Sequence, residues 1–109
     1  MNFKELQEKV FLIWYEEGLD SGDFGFKDYH FYEFLKYGSG RYDTDRVVFI
    51  TKEGGGEGGT EDVFSVINVD GVLYRVNYSY RSYDGYEFDY AEVSIVKPVD
   101  RMVTFYEEI

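Results

Sequence analysis

Carboxylates are the most abundant side chains in this chain that could act in acid–base chemistry or metal binding. The chain contains 22 Asp and Glu among 109 residues. Three pairs lie close together in the sequence: Asp43 with Asp45, Glu61 with Asp62, and Glu87 with Asp89. Such pairs could share a proton or bind a hard cation. No window has the order of oxygen donors around a central glycine that an EF-hand loop requires. Because pairs arise by chance at this abundance, the pattern favours solvated acids over a metal site or a pair of catalytic acids.

Two of the commonest catalytic residue types are missing or almost missing. The chain has no Cys, and His30 is its only histidine. A lone histidine among aromatic neighbours is more often a packed residue than a general base, and no cysteine or second histidine exists to complete a zinc site. The sequence also has no Gly-x-Ser-x-Gly elbow and no kinase signature. We therefore expect no catalytic residue, no metal and no cofactor, and a protein that is not an enzyme.

A glycine-rich segment, GGGEGG at residues 54–59, is the feature closest to a phosphate-binding loop. A P-loop ends in Lys followed by Ser or Thr, and a dinucleotide fingerprint has its own glycine spacing and a following helix. Neither pattern is present, and Glu57 in the segment would repel an anion. The segment is therefore predicted to be a flexible hairpin connection.

Net charge indicates the kind of partner that the chain would attract. Its 22 acidic and 11 basic residues give a charge of −11. This field repels nucleic acid and anionic membranes and speeds encounter with basic surfaces, although charge also serves solubility alone. No apolar stretch approaches the ~18 residues that span a bilayer. With no Cys as well, these features predict a cytoplasmic protein.

The spacing of apolar residues predicts one α+β domain over residues 1–109, with a helical part over about 2–37 and a sheet over about 46–106. The first segment, residues 2–19, has an apolar residue at three- and four-residue steps, and Asn2 with Glu5 forms a capping box. A second, shorter helix is predicted over about 27–37. The helices are expected to pack on an antiparallel meander of about four to five strands.

Two Asp-Gly dipeptides, at residues 70–71 and 84–85, are strong two-residue hairpin signals. The first pairs Val69 with Val72 and Val63 with Tyr78, whereas the second pairs Tyr74 with Ile95, Val76 with Val93 and Tyr78 with Ala91. Both turns therefore place the same side chains of the middle strand on one apolar face. Pro98 should end the strand after the second turn, and residues 102–106 are predicted to return as a last strand.

The opposite face of this sheet is predicted to be polar and aromatic. The register sets Arg75, Asn77, Ser79, Arg81 and Tyr83 beside Ser94, Glu92, Tyr90, Phe88 and Tyr86. This composition is typical of protein-recognition surfaces, and the alternative is a second small core covered by a helix or by the last strand. Acids and tyrosines coincide at the second hairpin. The predicted partner-binding residues are Tyr83, Asp84, Tyr86, Glu87 and Asp89, where the acids steer association and the tyrosines anchor it.

Residues 55–107 resemble small acidic phage-encoded proteins of largely unassigned function. The matching stretches are GGEGG, VFSVINVDGVLYRVNYSYRSYDGYEF and EVSIVKPVDRMVTFYE. The resemblance implies a phage or prophage origin and expression in the bacterial cytoplasm. It also implies an inhibitor of host or defence machinery, and it assigns no catalytic residue.

The leading hypothesis is a binding protein that inhibits a host or defence protein with a basic, nucleic-acid-handling surface. Residues on one face of a strand repeat at ~6.8 Å, whereas phosphates advance ~3.4 Å per DNA strand, so DNA mimicry would require acids from neighbouring strands. The alternatives are a carboxylate-based metal or small-ligand domain and a self-associating structural protein.

Overall fold

The computed structural model describes residues 1–38, 40–54, 61–81 and 85–98, and it confirms an α+β fold. In chain order the elements are α1 (Phe3–Glu16), α2 (Asp28–Tyr37), a 3₁₀ turn (Gly40–Tyr42), β1 (Val47–Glu53), β2 (Glu61–Val69), β3 (Val72–Arg81) and β4 (Gly85–Val96). The strands form one antiparallel meander in the order β1-β2-β3-β4. Neither α1 nor α2 is long and apolar enough to cross a membrane. The predicted last strand at 102–106 and the glycine-rich segment from residue 55 onward lie outside the described residues.

Helix α1 begins with the predicted capping box. The Asn2 side chain accepts a hydrogen bond from Glu5 N at 2.8 Å, and the Glu5 carboxylate accepts one from Asn2 N at 3.1 Å. The apolar stripe of the helix is buried, and at its end the Trp14 indole N–H donates to Tyr42 O at 3.1 Å. The Trp14 ring also stacks on Tyr42 at 4.9 Å. These contacts hold α1 against the segment that leads into β1.

The only histidine of the sequence, His30, caps the start of helix α2. His30 Nδ1 accepts from Lys27 N at 2.8 Å, which satisfies a backbone donor at the start of the helix, and the ring is buried edge-on to Phe26. The helix ends at Gly38, whose φ of 57° is left-handed. A Cβ there would lie 2.5 Å from the Phe49 ring, so glycine also permits the close contact between α2 and β1.

The first hairpin has the predicted register. Val69 pairs with Val72, Ile67 with Tyr74, and Val63 with Tyr78. Asp70 and Gly71 both have positive φ, at 50° and 87°, which is the geometry of a type I′ turn. The side chains that these pairs place on one face are buried under the helices: Val63, Ser65, Ile67, Val69, Tyr74, Val76 and Tyr78.

A buried polar network connects the helices to this face. Ser65 Oγ donates to Leu35 O at 2.6 Å, and Tyr78 Oη lies 2.8 Å from Ser65 Oγ and 3.3 Å from Leu35 O. The Leu35 carbonyl is therefore satisfied from the sheet. Burial raises the pKa of Tyr78 to about 12, so this phenol remains a donor at neutral pH.

Strand β4 departs from the predicted register. The pairs Tyr74–Ile95 and Val76–Val93 are confirmed, but after Asn77–Glu92 the next pair is Ser79–Glu87. One residue of β3 therefore lies opposite four residues of β4, 88–91, which we call the β4 bulge. The predicted pairs Tyr78–Ala91, Ser79–Tyr90 and Arg81–Phe88 are consequently wrong, and Arg81 pairs with Gly85 instead.

Burial of Phe88 explains the bulge. A regular ladder would place this side chain on the face opposite the helices, whereas in the structure it is only 7% exposed. Its ring stacks on Tyr32 of α2 at 4.2 Å and on Tyr78 at 4.5 Å. Removing a phenylalanine side chain from water contributes about 1.5–3 kcal/mol, which is enough to offset the backbone hydrogen bonds that the ladder loses.

Arg46, just before β1, connects α1 to the first hairpin turn. Its guanidinium donates to both carboxylate oxygens of Asp70, at 2.8 and 3.1 Å, and to Glu16 at 2.6 Å. The hydrogen bonds from Arg46 hold the pKa of Asp70 below its ordinary value of 3.8. The ion pair therefore stabilises the fold only while Asp70 is ionised.

We expect Asp70→Asn to lower the free energy of unfolding at pH 7. Asparagine also tolerates left-handed φ, so the substitution removes the charge while keeping the turn. Because folding depresses the pKa of Asp70, its contribution is present above about pH 4 and disappears as the pH falls through the folded-state value. Urea unfolding followed by Trp14 fluorescence should show a difference between wild type and variant at pH 7 that disappears in acid. An equal difference at both pH values would contradict this account.

Candidate functional site

The β4 bulge displays an aromatic side chain between acids. Tyr90 is 94% exposed, and Asp89 and Glu92 are exposed on either side of it. The bulge separates these two aromatic residues, because it turns Phe88 inward and leaves Tyr90 outward within three residues. Tyrosine combines a large rigid contact surface with a hydroxyl, and it is enriched at protein interfaces. This segment therefore has the composition of an interface anchor surrounded by steering charges.

Tyr86, one of the predicted anchors, is already engaged within the chain. Lys52 Nζ donates to its hydroxyl and lies 4.3 Å from the centre of its ring. The ring also contacts Tyr80 at 4.9 Å and Tyr78 at 5.9 Å. Tyr86 is consequently half-buried on the helix side of the sheet.

Glu87 lies on the other face, in a shallow hollow that we call the open-face hollow. Its volume is about 360 Å³. The lining residues are Asp62, Arg75, Asn77, Tyr78, Ser79, Glu87, Tyr90 and Glu92. Arg75 is held in place there, because its Nε donates to Asn77 at 3.0 Å and its guanidinium lies 3.8 Å from the centre of the Phe64 ring. The hollow thus combines acids with one fixed cation.

Asp89 lies in a second cavity, between α1, α2 and β4, which we call the helix-side cleft. Its volume is about 250 Å³. The lining residues are Phe3, Lys4, Gln7, Asp28, Tyr32, Phe88 and Asp89. Burial raises the pKa of Tyr32, and the negative charges of Asp28 and Asp89 raise it further. Two carboxylates from distant parts of the sequence therefore act on the same phenol.

The structure distributes the predicted partner-binding residues over different surfaces. Tyr86 packs beside Lys52, Glu87 lines the open-face hollow, and Asp89 lines the helix-side cleft. Tyr83 and Asp84 lie outside the described residues. Within the described ranges, no group of three or more His, Asp or Glu side chains is placed to hold a metal ion.

Several residues of these surfaces were not predicted as functional from the sequence, among them Tyr90 as an anchor and Gln7 and Asp28 in the cleft. The sequence predicts Tyr90 on the polar and aromatic face, but its separation from Phe88 depends on the bulge, for which the sequence has no strong local signal. Gln7 has a recognisable signal, since it is a polar residue inside the apolar stripe of α1, four residues after Phe3 and three before Val10. A polar residue in such a position must find a hydrogen-bond partner. The position of Asp28 opposite Gln7 could come only from the packing of α1 against α2.

Comparisons of the chain with protein-family models, with curated proteins and with solved structures found no match.

Proposed function

We propose that this chain is an acidic binding protein of the phage type, which acts in the bacterial cytoplasm. It inhibits a host or defence protein by covering a basic surface that handles nucleic acid. The observation that carries this proposal is the β4 bulge, where Tyr90 is 94% exposed between two exposed acids.

The energetic argument rests on what a partner would gain at this position. An aromatic ring in water gains about 1.5–3 kcal/mol when an interface buries it, and interface hot spots are enriched in tyrosine. Because the Tyr90 ring is so exposed, nearly all of that gain is available to a partner.

The acids supply the electrostatic part of the argument. A net charge of −11 favours encounter with basic proteins and disfavours direct binding of nucleic acid. Acids beside the anchor steer the basic surface toward it, and this increases the association rate more than it strengthens the final complex. Where acids from neighbouring strands add to those of the bulge, the surface would compete with nucleic acid for the same basic site.

The test uses the immobilised protein to capture partners from a bacterial lysate. Wild type should retain a basic protein, and Tyr90→Ala should bind the purified partner at least about 10-fold more weakly. Phe24→Ala is the matched control, because Phe24 is an 85% exposed aromatic residue in the turn between α1 and α2. Its affinity should equal that of wild type, and the captured protein should lose its nucleic-acid binding in the complex.

A charge-reversal pair separates steering from anchoring in the same experiment. Glu87→Lys with Glu92→Lys should slow association and weaken its salt dependence. Asp43→Lys with Asp45→Lys makes the same charge change before β1, at the opposite edge of the described sheet, and should have a smaller effect. Capture that is indifferent to Tyr90→Ala, or that yields only acidic proteins, would refute the proposed function.

A further inference from the structure

The helix-side cleft contains a buried polar atom that the fold leaves unsatisfied. Gln7 is 8% exposed, and its Nε2 donates to Asp28 Oδ1 at 2.7 Å. Its Oε1 is buried and accepts no hydrogen bond from any described residue. An unsatisfied buried acceptor destabilises the fold, so natural proteins rarely retain one without a reason. A hydrogen-bond donor that enters the cleft would remove this cost.

Charge determines which kind of donor the cleft favours. Asp28 and Asp89 line it with two negative charges, and Lys4 adds one positive charge, which leaves a net charge of −1. Both carboxylates face the phenol of Tyr32, whose pKa is raised by burial and raised further by these two charges. A cationic donor is therefore favoured over a neutral one, and an anion is excluded.

The walls of the cleft are flat and aromatic. Tyr32 and Phe88 stack on each other within 1° of parallel at 4.2 Å, and Phe3 is tilted by 25° and 24° to them, at 6.1 and 5.9 Å. A planar guanidinium is weakly hydrated and packs well on such surfaces, whereas a compact ammonium retains its water strongly. A guanidinium also has five N–H donors, enough to reach two carboxylates and an amide oxygen.

The size of the cleft indicates a side chain rather than a whole small molecule. Its volume of about 250 Å³ is below the ~300–1,000 Å³ of pockets that hold drug-sized ligands. A wider hollow of about 530 Å³ adjoins it and shares Asp28 and Tyr32. That hollow leaves room for the rest of a peptide whose side chain occupies the cleft.

We propose that the helix-side cleft binds the guanidinium group of an arginine side chain on the protein partner. Asp28 and Asp89 hold its charge, Gln7 Oε1 accepts one of its hydrogen bonds, and the rings of Phe3 and Tyr32 line the cleft beside its plane. The biological meaning of this site rests on the proposed function, because it specifies what the basic partner presents.

The experiment is a titration of the ¹⁵N-labelled full chain with the peptide acetyl-Gly-Arg-Gly-amide, followed by amide chemical shifts. The matched peptide replaces arginine with citrulline, which has the same shape without the charge. The arginine peptide should shift the amides of Gln7, Asp28 and Asp89 with millimolar affinity, and the citrulline peptide should bind at least about 5-fold more weakly. Equal shifts with both peptides, or tighter binding of acetyl-Gly-Lys-Gly-amide, would overturn the guanidinium assignment.

Variants of exposed residues test the site without disturbing the core. Asp89→Asn should weaken the arginine peptide about 5-fold, whereas Asp45→Asn, an equal charge change far from the cleft, should not. Lys4→Gln should strengthen binding about 2-fold or more, because it removes the repelling charge at the rim. A purely structural role of these residues would not produce opposite effects, and loss of binding in Lys4→Gln would overturn the proposal.

This test and the capture test fail independently. Binding of the arginine peptide in the cleft without capture of a basic protein would support the arginine site and refute the proposed function. Capture of a basic partner through Tyr90 without any response to the arginine peptide would refute only the arginine site.

Discussion

Replacement of Trp14 by alanine is expected to lower the free energy of unfolding by about 3–5 kcal/mol. Trp14 is fully buried and packs against rings from α1, α2 and the segments that follow each helix: Phe11, Phe26, Phe31, Phe34 and Tyr42. Truncation would leave a cavity among these rings and remove the donor to Tyr42 O. The total free energy of unfolding of a domain of this size is about 5–15 kcal/mol, so the variant should be only marginally folded.

The measurement is urea unfolding followed by far-ultraviolet circular dichroism, because Trp14 is also the only tryptophan. Leu12→Ala is the matched control on the same helix, since Leu12 is exposed. It should change the free energy of unfolding by about 0.5 kcal/mol or less. Similar losses in the two variants would mean that Trp14 does not organise the aromatic core.

Phe88→Ala is expected to cost about 3–5 kcal/mol, whereas Tyr90→Ala two residues later should cost about 0.5 kcal/mol or less. The reason is the β4 bulge, which buries Phe88 against Phe3, Tyr32 and Tyr78 and exposes Tyr90. A regular ladder would place both residues on the same face, so their truncations would then cost similar amounts.

Urea unfolding of the two variants, followed by Trp14 fluorescence, distinguishes these registers directly. A large loss for Phe88→Ala alone supports the bulge. Equal losses would contradict the bulge and restore the regular register, in which Phe88 and Tyr90 share the face opposite the helices. The near-native stability of Tyr90→Ala also qualifies it as a folded probe in the binding experiment.

The elements with local signals were predictable from the sequence. Asn2 and Glu5 are three residues apart, so the start of α1 is encoded within one turn of helix. Asp70-Gly71 similarly fixes the first hairpin, because few other dipeptides adopt two consecutive positive φ angles. Neither signal depends on the rest of the chain, and both predictions were confirmed.

The pairing of strand β4 was predictable only at its C-terminal end, away from the turn. The pairs that include Val93 and Ile95 follow from alternation, but the pairing near the turn depends on where Phe88 finds a partner. Its partners Phe3 and Tyr32 belong to the helices, and no local sequence pattern indicates that they lie beside Phe88. The prediction assumed an uninterrupted ladder, and the aromatic stack was more favourable than the ladder.

The sequence by itself determined the charge of −11, the absence of cysteine, the two helices and the first hairpin. It also placed acids and tyrosines in one stretch of chain. Only the tertiary structure decided which of them share a surface. An odd number of extra residues in one strand moves every side chain between the bulge and the turn to the other face of the sheet. The three extra residues of the β4 bulge turn Tyr86 toward Lys52, leave Tyr90 exposed and bring Asp89 to the cleft beside Asp28. Packing between distant segments therefore converts a general acidic character into specific candidate sites.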